Sequence, residues 1–450
     1  MIYKIGDVVE GRIIDFTHEG NGVLKTDDFI IFVKEALIGD KVKVKIDKVK
    51  KNYGVATLVE ILEESKDRID EPIDLTESRG GIPLIDYKYS EQLKWKTNKV
   101  KMDLKRIGGL KDVKVKDMIG MKTPFRYRNH TQIPVGQVKG KPIIGFYEKG
   151  SRYIIDMEGS ILQSKIGDRI ISIIRKWMKE YNIPIYNRRN RKGILRHIGI
   201  RTNYKDEAMV ILVTGSNHLP YKSELIQSLR EENIISIYQN INKSRSSMTY
   251  GKKYKKLDGE DTLLDYIEDY KFKISPNSFF QVNRRQAEIL YNKAKEYLDL
   301  NKEDIVYDLY SGIGTISLCI ANQVKKVYGI EVVEEATEDA EINAKLNNVK
   351  NVEFITGKAE EIFPEIIEKN RRANKIILDP PRKGVEKEVL EAITELEPDT
   401  VVYVSCNSST MARDVKDLVD KRYKVVEVQP VDMFPHTAHV ESIILMTYCG

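Results

Sequence analysis

Short apolar runs with polar breaks fill the first part of the chain. From Val8 to Leu62 the runs are rich in β-branched residues and are broken at Glu19–Gly22 and Ile38–Asp40. The pair Asn21-Gly22 favours a hairpin turn, because both positions tolerate a positive φ. We therefore expect residues 1–62 to form a small OB-like barrel of five strands.

A mixed pattern follows over residues 63–280. Apolar residues from Tyr89 to Gly108 recur near the spacing of a helix. Several strand-like runs come after it: PIIGFYEK, YIIDM, LRHIGIRT, AMVILVTG, IISIYQNI and FKISP. This mixture predicts a central α/β domain.

From residue 281 to residue 450 the pattern becomes a regular alternation of strands and amphipathic helices. The strand-like runs include IVYDLY, KVYGIEV, VEFITG, KIILDPP, TVVYVSC and SIILMTY. Such alternation is typical of a doubly wound, Rossmann-like parallel sheet, which binds its ligand at the carboxyl ends of the strands. The predicted fold class is therefore α/β, with a Rossmann-like domain that follows the barrel and the central domain.

Length and composition narrow the possible classes of protein. A chain of 450 residues is too long for one ordinary core, and a hydrophobic share of 41% suits globular domains. Neither a membrane-spanning run nor a signal peptide is visible, so we expect a cytoplasmic protein that does not bind a membrane. The three scattered cysteines, Cys319, Cys406 and Cys449, form neither a disulfide framework nor a zinc set.

Positive charge is concentrated outside the predicted Rossmann-like domain. The stretch Lys88–Arg128 holds 13 basic and 4 acidic residues, and Arg188–Lys205 holds 7 basic residues and no acidic one. The second stretch also contains or adjoins Tyr186, His197 and Tyr204. This distribution favours a nucleic acid held by one part of the chain and modified by another, although solvated helix faces would give a similar pattern.

A glycine turn follows the first strand of the last domain. Gly312 and Gly314 come directly after the run Ile305–Tyr310, and the next strand ends in Glu331. A carboxylate there can hold both hydroxyls of a ribose, in NAD and in S-adenosylmethionine alike. The dinucleotide motif has a third glycine where this chain has Ser317, so the pattern favours S-adenosylmethionine and a methyltransferase over a dehydrogenase.

Two further strands end in chemically useful residues. Asp379 follows Lys375–Leu378 and precedes two prolines, although a turn that only stops a strand would look the same. Amino-methylating enzymes carry an aromatic residue in a related loop, and Arg382 in that position argues against their chemistry. Cys406 follows the apolar run Val401–Val404, where a thiol can meet a substrate.

Glu441 lies just before the final strand and is the candidate base. A cysteine, a carboxylate and a methyl donor together suit methylation of uracil at C5. A thiolate adds to C6, C5 then accepts the methyl group, and a base removes the C5 proton. Asp379 or Gln281 could bind the polar edge of the uracil.

These motifs resemble one known family. The segments SPNSFFQVN (275–283), DLYSGIGT, GIE, LDPPRKG, YVSCN and FPHTAHVE stand in the order found in the uracil-C5 RNA methyltransferases that form 5-methyluridine, in particular the 23S ribosomal RNA branch. The resemblance covers nearly the whole chain, and its barrel resembles the RNA-binding TRAM domain. It implies that Cys406 is the nucleophile and Glu441 the proton acceptor. It also implies that S-adenosylmethionine and the active site are contacted by Gln281, Tyr310, Glu331 and Asp379.

The chain departs from the family at two places. Many members hold an iron–sulfur cluster on four cysteines, but this chain has Arg79-Gly80-Gly81-Ile82 at the first site and Ser160 at the later one. We therefore expect no iron–sulfur cluster and no other metal. Ser311 also stands where relatives often have a cysteine.

The expected substrate is a uridine of 23S rRNA, which must leave its stack to reach Cys406. The barrel and the basic central region would hold the RNA backbone, and no obligate protein partner is expected. A tRNA uridine-C5 methyltransferase is the first alternative. A non-catalytic RNA-binding or ribosome-assembly factor is the second, and such a factor would need neither Cys406 nor Glu441.

Overall fold

The N-terminal strands form a closed barrel. The computed structural model describes residues 3–27, 29–70, 81–148, 151, 153–368 and 373–450. The barrel strands are β1 (Val8–Phe16), β2 (Gly22–Lys25), β3 (Ile30–Val33), β4 (Lys41–Val49) and β5 (Tyr53–Glu63), in the order β1-β2-β3-β5-β4. Their alternate apolar residues fill the interior, as with Leu24, Ile31 and Val44. The OB-like barrel expected from the sequence is confirmed.

Helix α1 (Tyr89–Arg106) joins the barrel to the rest of the chain. Trp95 donates a hydrogen bond from Nε1 to Asp15 of the barrel at 2.7 Å, and its ring packs edge-on against Phe16. The opposite side of the helix buries Val100 and Leu104 in the core of the C-terminal domain. The barrel is therefore fixed to the C-terminal domain through one amphipathic helix.

A second sheet forms the centre of the molecule. In the part of the chain that the structure describes, it has seven strands in the order β12-β11-β10-β9-β6-β7-β8. The elements are β6 (His130–Val138), β7 (Lys141–Tyr147), β8 (Ile154–Asp156), α2 (Lys165–Glu180), β9 (Leu195–Thr202), β10 (Ala208–Thr214), α3 (Lys222–Arg230), β11 (Ile234–Ile241) and β12 (Lys253–Gly259). Helices α2 and α3 cover one face with a strongly apolar stripe, which includes Ile170, Ile174 and Leu229.

The basic stretch of this domain is only partly exposed. Arg188, Arg189, Arg191 and Lys192 lie at the surface in the loop before β9. Arg196, His197 and Arg201 are buried, and burial lowers the pKa of His197 to about 3. Lys205, at the other end of the stretch, is also exposed. Contact with a polyanion is therefore open to the loop before β9 and to Lys205, whereas the sequence analysis counted all seven cations as one basic patch.

The C-terminal domain contains the third sheet, of seven strands among the described residues, in the order β17-β16-β15-β18-β19-β21-β20. A hairpin, β13 (Leu263–Ile267) and β14 (Tyr270–Ile274), packs into the same core. The remaining elements are α4 (Arg284–Leu298), β15 (Ile305–Leu309), α5 (Thr315–Ala321), β16 (Lys326–Glu331), α6 (Glu334–Leu346), β17 (Val352–Thr356), α7 (Ala359–Glu368), β18 (Lys375–Leu378), α8 (Lys387–Leu396), β19 (Thr400–Ser405), α9 (Ser408–Val419), β20 (Tyr423–Val431) and β21 (Glu441–Tyr448). Helices α4 to α6 cover one face, and α7 to α9 with α1 cover the other.

The sheet is parallel only in part. Strands β15 to β19 run parallel, as the alternation of strands and helices predicts. The last strand, β21, inserts antiparallel between β19 and β20. The parallel sheet expected from the sequence was therefore wrong at this edge, because β20 returns to β21 through the short connection 432–440 and no crossover helix intervenes. This reversal decides the geometry of the site.

Within the described residues, no helix combines the length and the hydropathy that crossing a membrane requires.

Candidate active site

A large cavity opens at the carboxyl edge of the parallel strands. This main cavity has a volume of about 1300 Å³. All six residues that the sequence indicated line it: Gln281, Tyr310, Glu331, Asp379, Cys406 and Glu441. Strands β15, β16, β18 and β19 each end at this edge, so residues that are distant in sequence meet there.

The reversed strand brings Cys406 and Glu441 together. Ser405 pairs with Ser442 across the antiparallel strands β19 and β21. Cys406 directly follows Ser405 and Glu441 directly precedes Ser442, so the end of this ladder brings the two residues near each other, and the charge of Glu441 acts on the thiol. Glu441 is buried and Cys406 half-buried, both on the wall of the main cavity.

Burial and neighbouring charges shift the pKa values of Cys406 and Glu441. Burial raises the pKa of the Cys406 thiol to about 11, and the charges of Glu441 and Asp379 add to the rise, while Arg382 opposes it. Burial, together with Asp379, also raises the pKa of Glu441 well above its usual range. A carboxyl with a raised pKa is suited to accept a proton, and a thiol in this setting needs a positive charge nearby to become a thiolate.

Asp379 is half-buried and lies near the buried carboxyl of Asp308. Burial, with a contribution from Asp308, raises its pKa to about 7, and the pKa of Asp308 rises to about 6. Asp308 accepts a hydrogen bond from the Ser317 hydroxyl at 2.6 Å, but its other oxygen has no partner among the described residues. Both carboxyls therefore titrate closer to neutral pH than an exposed aspartate does.

The glycine turn leaves room for a ligand beside Glu331. Gly312 adopts a φ of +55°, and a Cβ there would project into open space. Its backbone N–H donates to Glu331 Oε2 at 3.0 Å, and the N–H of Val333 donates to Oε1 at 2.9 Å. Each carboxylate oxygen keeps a further acceptor position, so the pair can receive both hydroxyls of a ribose.

Unsatisfied polar atoms support a polar ligand at the same place. The hydroxyls of Tyr310 and Ser311 are buried and have no hydrogen-bond partner within the described part of the chain. Buried polar groups are rarely left without one. The cavity, the open glycine turn and these hydroxyls fit the adenosine and amino-acid parts of S-adenosylmethionine. Gln281, from the loop before α4, is buried on the same wall.

A buried network holds the segment that precedes Glu441. Lys96 of α1 is fully buried and contacts Asp432 at 2.6 Å, and Tyr89 donates to the same carboxylate at 2.8 Å. Gln92 accepts from the backbone N–H of His436 at 3.0 Å. The sequence analysis counted Lys96 as part of a basic stretch. In the structure its ammonium group pairs with Asp432 inside the protein and orders the connection 432–440.

Apolar and polar side chains stand at the two described positions where the family resemblance would place cluster cysteines, 82 and 160. Ile82 packs with Ile85, Tyr127 and Leu162. Ser160 is buried, whereas Arg79 and Gly80 lie outside the described residues. No group of three or more histidine, cysteine or acidic side chains suited to a metal ion occurs among the residues described.

Comparison with known proteins identifies the family. The family model described as tRNA (Uracil-5-)-methyltransferase matches residues 253–448, and the TRAM domain model matches residues 4–59. An uncharacterized RNA methyltransferase of Clostridium tetani is 48% identical over 435 residues, covering 96% of this chain and 94% of its own. The chain belongs to the RNA uracil-5 methyltransferase family. It is thus an S-adenosylmethionine-dependent enzyme, and the fold and cofactor inferred from the sequence are confirmed.

Further relatives extend over the whole chain. An uncharacterized RNA methyltransferase of Clostridium acetobutylicum is 46% identical over 439 residues, covering 96% of this chain and 95% of its own. Among solved structures, the Pyrococcus abyssi tRNA (uracil-54, C5)-methyltransferase in complex with S-adenosyl-L-homocysteine is similar, with a TM-score of 0.79 and 30% identity. The match covers 98% of this chain and 100% of that one.

Three residues near the reacting groups were not among the six site residues predicted from the sequence. Asp308 and Arg382 act on Asp379, Glu441 and Cys406 through their charges. His439 lines the main cavity, and burial lowers its pKa to about 4, which keeps it neutral. The only sequence signal for them was that all three lie within the quoted motifs DLYSGIGT, LDPPRKG and FPHTAHVE.

Glu331 is expected to dominate the binding of the ribose. Replacing Glu331 by alanine should weaken S-adenosylmethionine binding by about 1.5 to 3 kcal/mol, the range for a hydrogen bond to a charged group. Glu331→Gln should lose less, because one acceptor remains. Calorimetric titration measures both. Glu334→Ala, an exposed neighbour outside the cavity lining, is the control, and an unchanged dissociation constant for Glu331→Ala would remove this residue from the site.

Proposed function

We propose that this enzyme methylates C5 of a uridine in folded RNA through a covalent bond between Cys406 and C6 of the uracil, with 23S rRNA as the substrate. The observation that carries the proposal is the cross-strand position of Cys406 beside Glu441 on the wall of the main cavity. An RNA-binding protein without catalytic activity would have no use for a buried carboxyl beside a thiol.

The proposed reaction assigns one role to each residue. Cys406 gives its proton to solvent and attacks C6 as the thiolate, so that the electrons of the C5–C6 bond move toward O4, and C5 becomes nucleophilic. S-adenosylmethionine supplies an electrophilic methyl group on a positively charged sulfur. After C5 has gained the methyl group, Glu441 removes the C5 proton, the C5–C6 double bond re-forms, and the thiolate of Cys406 leaves.

The remaining site residues hold the reactants. Glu331 binds the ribose of the cofactor, and Tyr310 and Gln281 line the same cavity beside it. Asp379 lines the same cavity and acts on Cys406 through its charge, and it is proposed to bind the polar edge of the uracil. We also propose the division into a barrel at 1–62, a central RNA-binding region at 63–280 and a catalytic domain at 281–450.

A tRNA uridine is the second candidate substrate. The sequence motifs resemble the 23S rRNA branch and support rRNA, whereas the similar Pyrococcus abyssi enzyme acts on uracil-54 of tRNA. Both RNAs present single-stranded loops whose bases can leave their stacks.

Loss of the gene should identify the substrate. In rRNA and tRNA from a strain that lacks this protein, one or more 5-methyluridines of 23S rRNA are expected to disappear, and tRNA should be unchanged. Nucleoside mass spectrometry and mapping of the modified position measure both pools. Complementation with the intact gene is the control, and loss confined to tRNA would establish the second candidate instead.

A further inference from the structure

A second cavity lies on the other side of Cys406. This side cavity has a volume of about 320 Å³. Its lining comes from the barrel, from α1 and from the catalytic loops: His18, Lys99, Arg382, Cys406, Asn407, Ser408, Ser409, Ala438, His439 and Val440. Cys406, Arg382 and His439 also line the main cavity, so the thiol stands where the two cavities meet.

The wall of the side cavity is basic and polar. It contains Lys99, Arg382 and His18, and none of its described lining residues is acidic. Asp103, which is not itself a lining residue, pairs with Lys99 at 2.7 Å and accepts hydrogen bonds from Ser408 and Ser409. At the rim, Glu19 is 3.9 Å from His18. The lining therefore suits a phosphate and its sugar better than an apolar or cationic group.

The barrel turn packs closely against its neighbours at this position. Gly20 has a φ of +76°, and a Cβ there would come within 2.8 Å of Pro83 and 3.6 Å of Ala438. Ala438 also packs with Phe16 and Trp95 in one apolar cluster. The barrel turn thus touches the loop that carries His439 and leads to Glu441. His18, which lies in the same turn as Gly20, remains exposed at the rim of the side cavity.

We propose that the side cavity holds the sugar and phosphate of the nucleotide next to the flipped uridine, and that the RNA strand reaches Cys406 between the barrel turn and α1. The inference rests on the proposed function. Lys99 and Arg382 contact the phosphate, and His18 guides the strand at the rim. The main cavity is left for the cofactor and the target base.

The salt dependence of RNA binding tests the contact of Lys99. For Lys99→Gln, the slope of log binding constant against log salt concentration is expected to become shallower by about 0.7, the value for one phosphate contact on a single strand. S-adenosylmethionine binding should be unchanged. Lys94→Gln is the matched control, because Lys94 lies on the same helix, pairs with Glu91 at 2.7 Å and stands outside both cavities. An unchanged slope for Lys99→Gln would overturn the proposal.

Cross-linking locates the strand directly. A short RNA with 5-fluorouridine at the mapped target and 4-thiouridine on either side is trapped on the wild-type enzyme and irradiated, and the linked peptides are sequenced. Links to peptides that contain His18, Lys99 or Ser408 support the proposal. Links from both flanks that are confined to residues 252–279, at the other end of the main cavity, overturn it. If no trapped complex forms, the covalent mechanism is wrong, and the salt slope of Lys99→Gln still decides whether the side cavity binds RNA.

Discussion

Replacement of Cys406 by alanine is expected to abolish methylation, with a loss of about 10⁴-fold or more, the scale seen when a catalytic nucleophile is removed. Without the thiolate, C5 of the uracil is not nucleophilic enough to take the methyl group. The variant should still bind RNA and S-adenosylmethionine, because neither depends on the sulfur. Transfer of labelled methyl groups to RNA measures the loss of methylation, and separate titrations measure the binding of RNA and of S-adenosylmethionine.

Cys449→Ala is the matched control. Cys449 is an exposed thiol that lines neither cavity, so its loss should leave the rate unchanged. The wild-type enzyme should form a covalent complex with RNA that carries 5-fluorouridine, since fluorine cannot leave as a cation, and Cys406→Ala should form none. Methylation by Cys406→Ala at a rate near that of the wild type would show that the reaction does not pass through this thiol.

The sequence predicts the barrel, the strand-helix alternation and the side chains at the strand ends, because these follow from local periodicity. Glu331, Asp379 and Cys406 each end a parallel strand, and parallel strands share one carboxyl edge. The position of Glu441 beside Cys406, by contrast, does not follow from local periodicity. It depends on the antiparallel insertion of β21, which the periodicity of a buried apolar strand does not reveal.

The burial or exposure of individual charged side chains was the feature that the sequence predicted least well. Lys96 and Lys99 are three residues apart on one basic helix, yet one is fully buried on Asp432 and the other lines the side cavity. The burial of Arg196 and Arg201 within a basic stretch has the same origin. Composition fixes the number of charges, whereas packing between distant segments decides which of them reach solvent.

Replacement of Glu441 by glutamine should separate methyl transfer from product release. The amide keeps the size of the side chain but cannot accept the C5 proton. Cys406 can still attack C6, so the methyl group should be transferred and the reaction should then stop with the thioether bond intact. We expect an RNA–protein adduct that carries label from the methyl donor and survives denaturing gel electrophoresis, while release of methylated RNA falls to background.

The thiol itself should respond in a definite direction. The charge of Glu441 raises the pKa of Cys406, so removing this charge in Glu441→Gln should lower the pKa of Cys406. Alkylation of Cys406 by iodoacetamide should therefore begin at a lower pH in Glu441→Gln than in the wild type. Glu338→Gln, an exposed glutamate on the same cavity, should alter neither the adduct nor the alkylation profile. Turnover of Glu441→Gln at the wild-type rate would exclude this carboxylate as the base. The proton would then have to leave through His439, or through a water held by Asp379, both of which line the cavity beside Cys406.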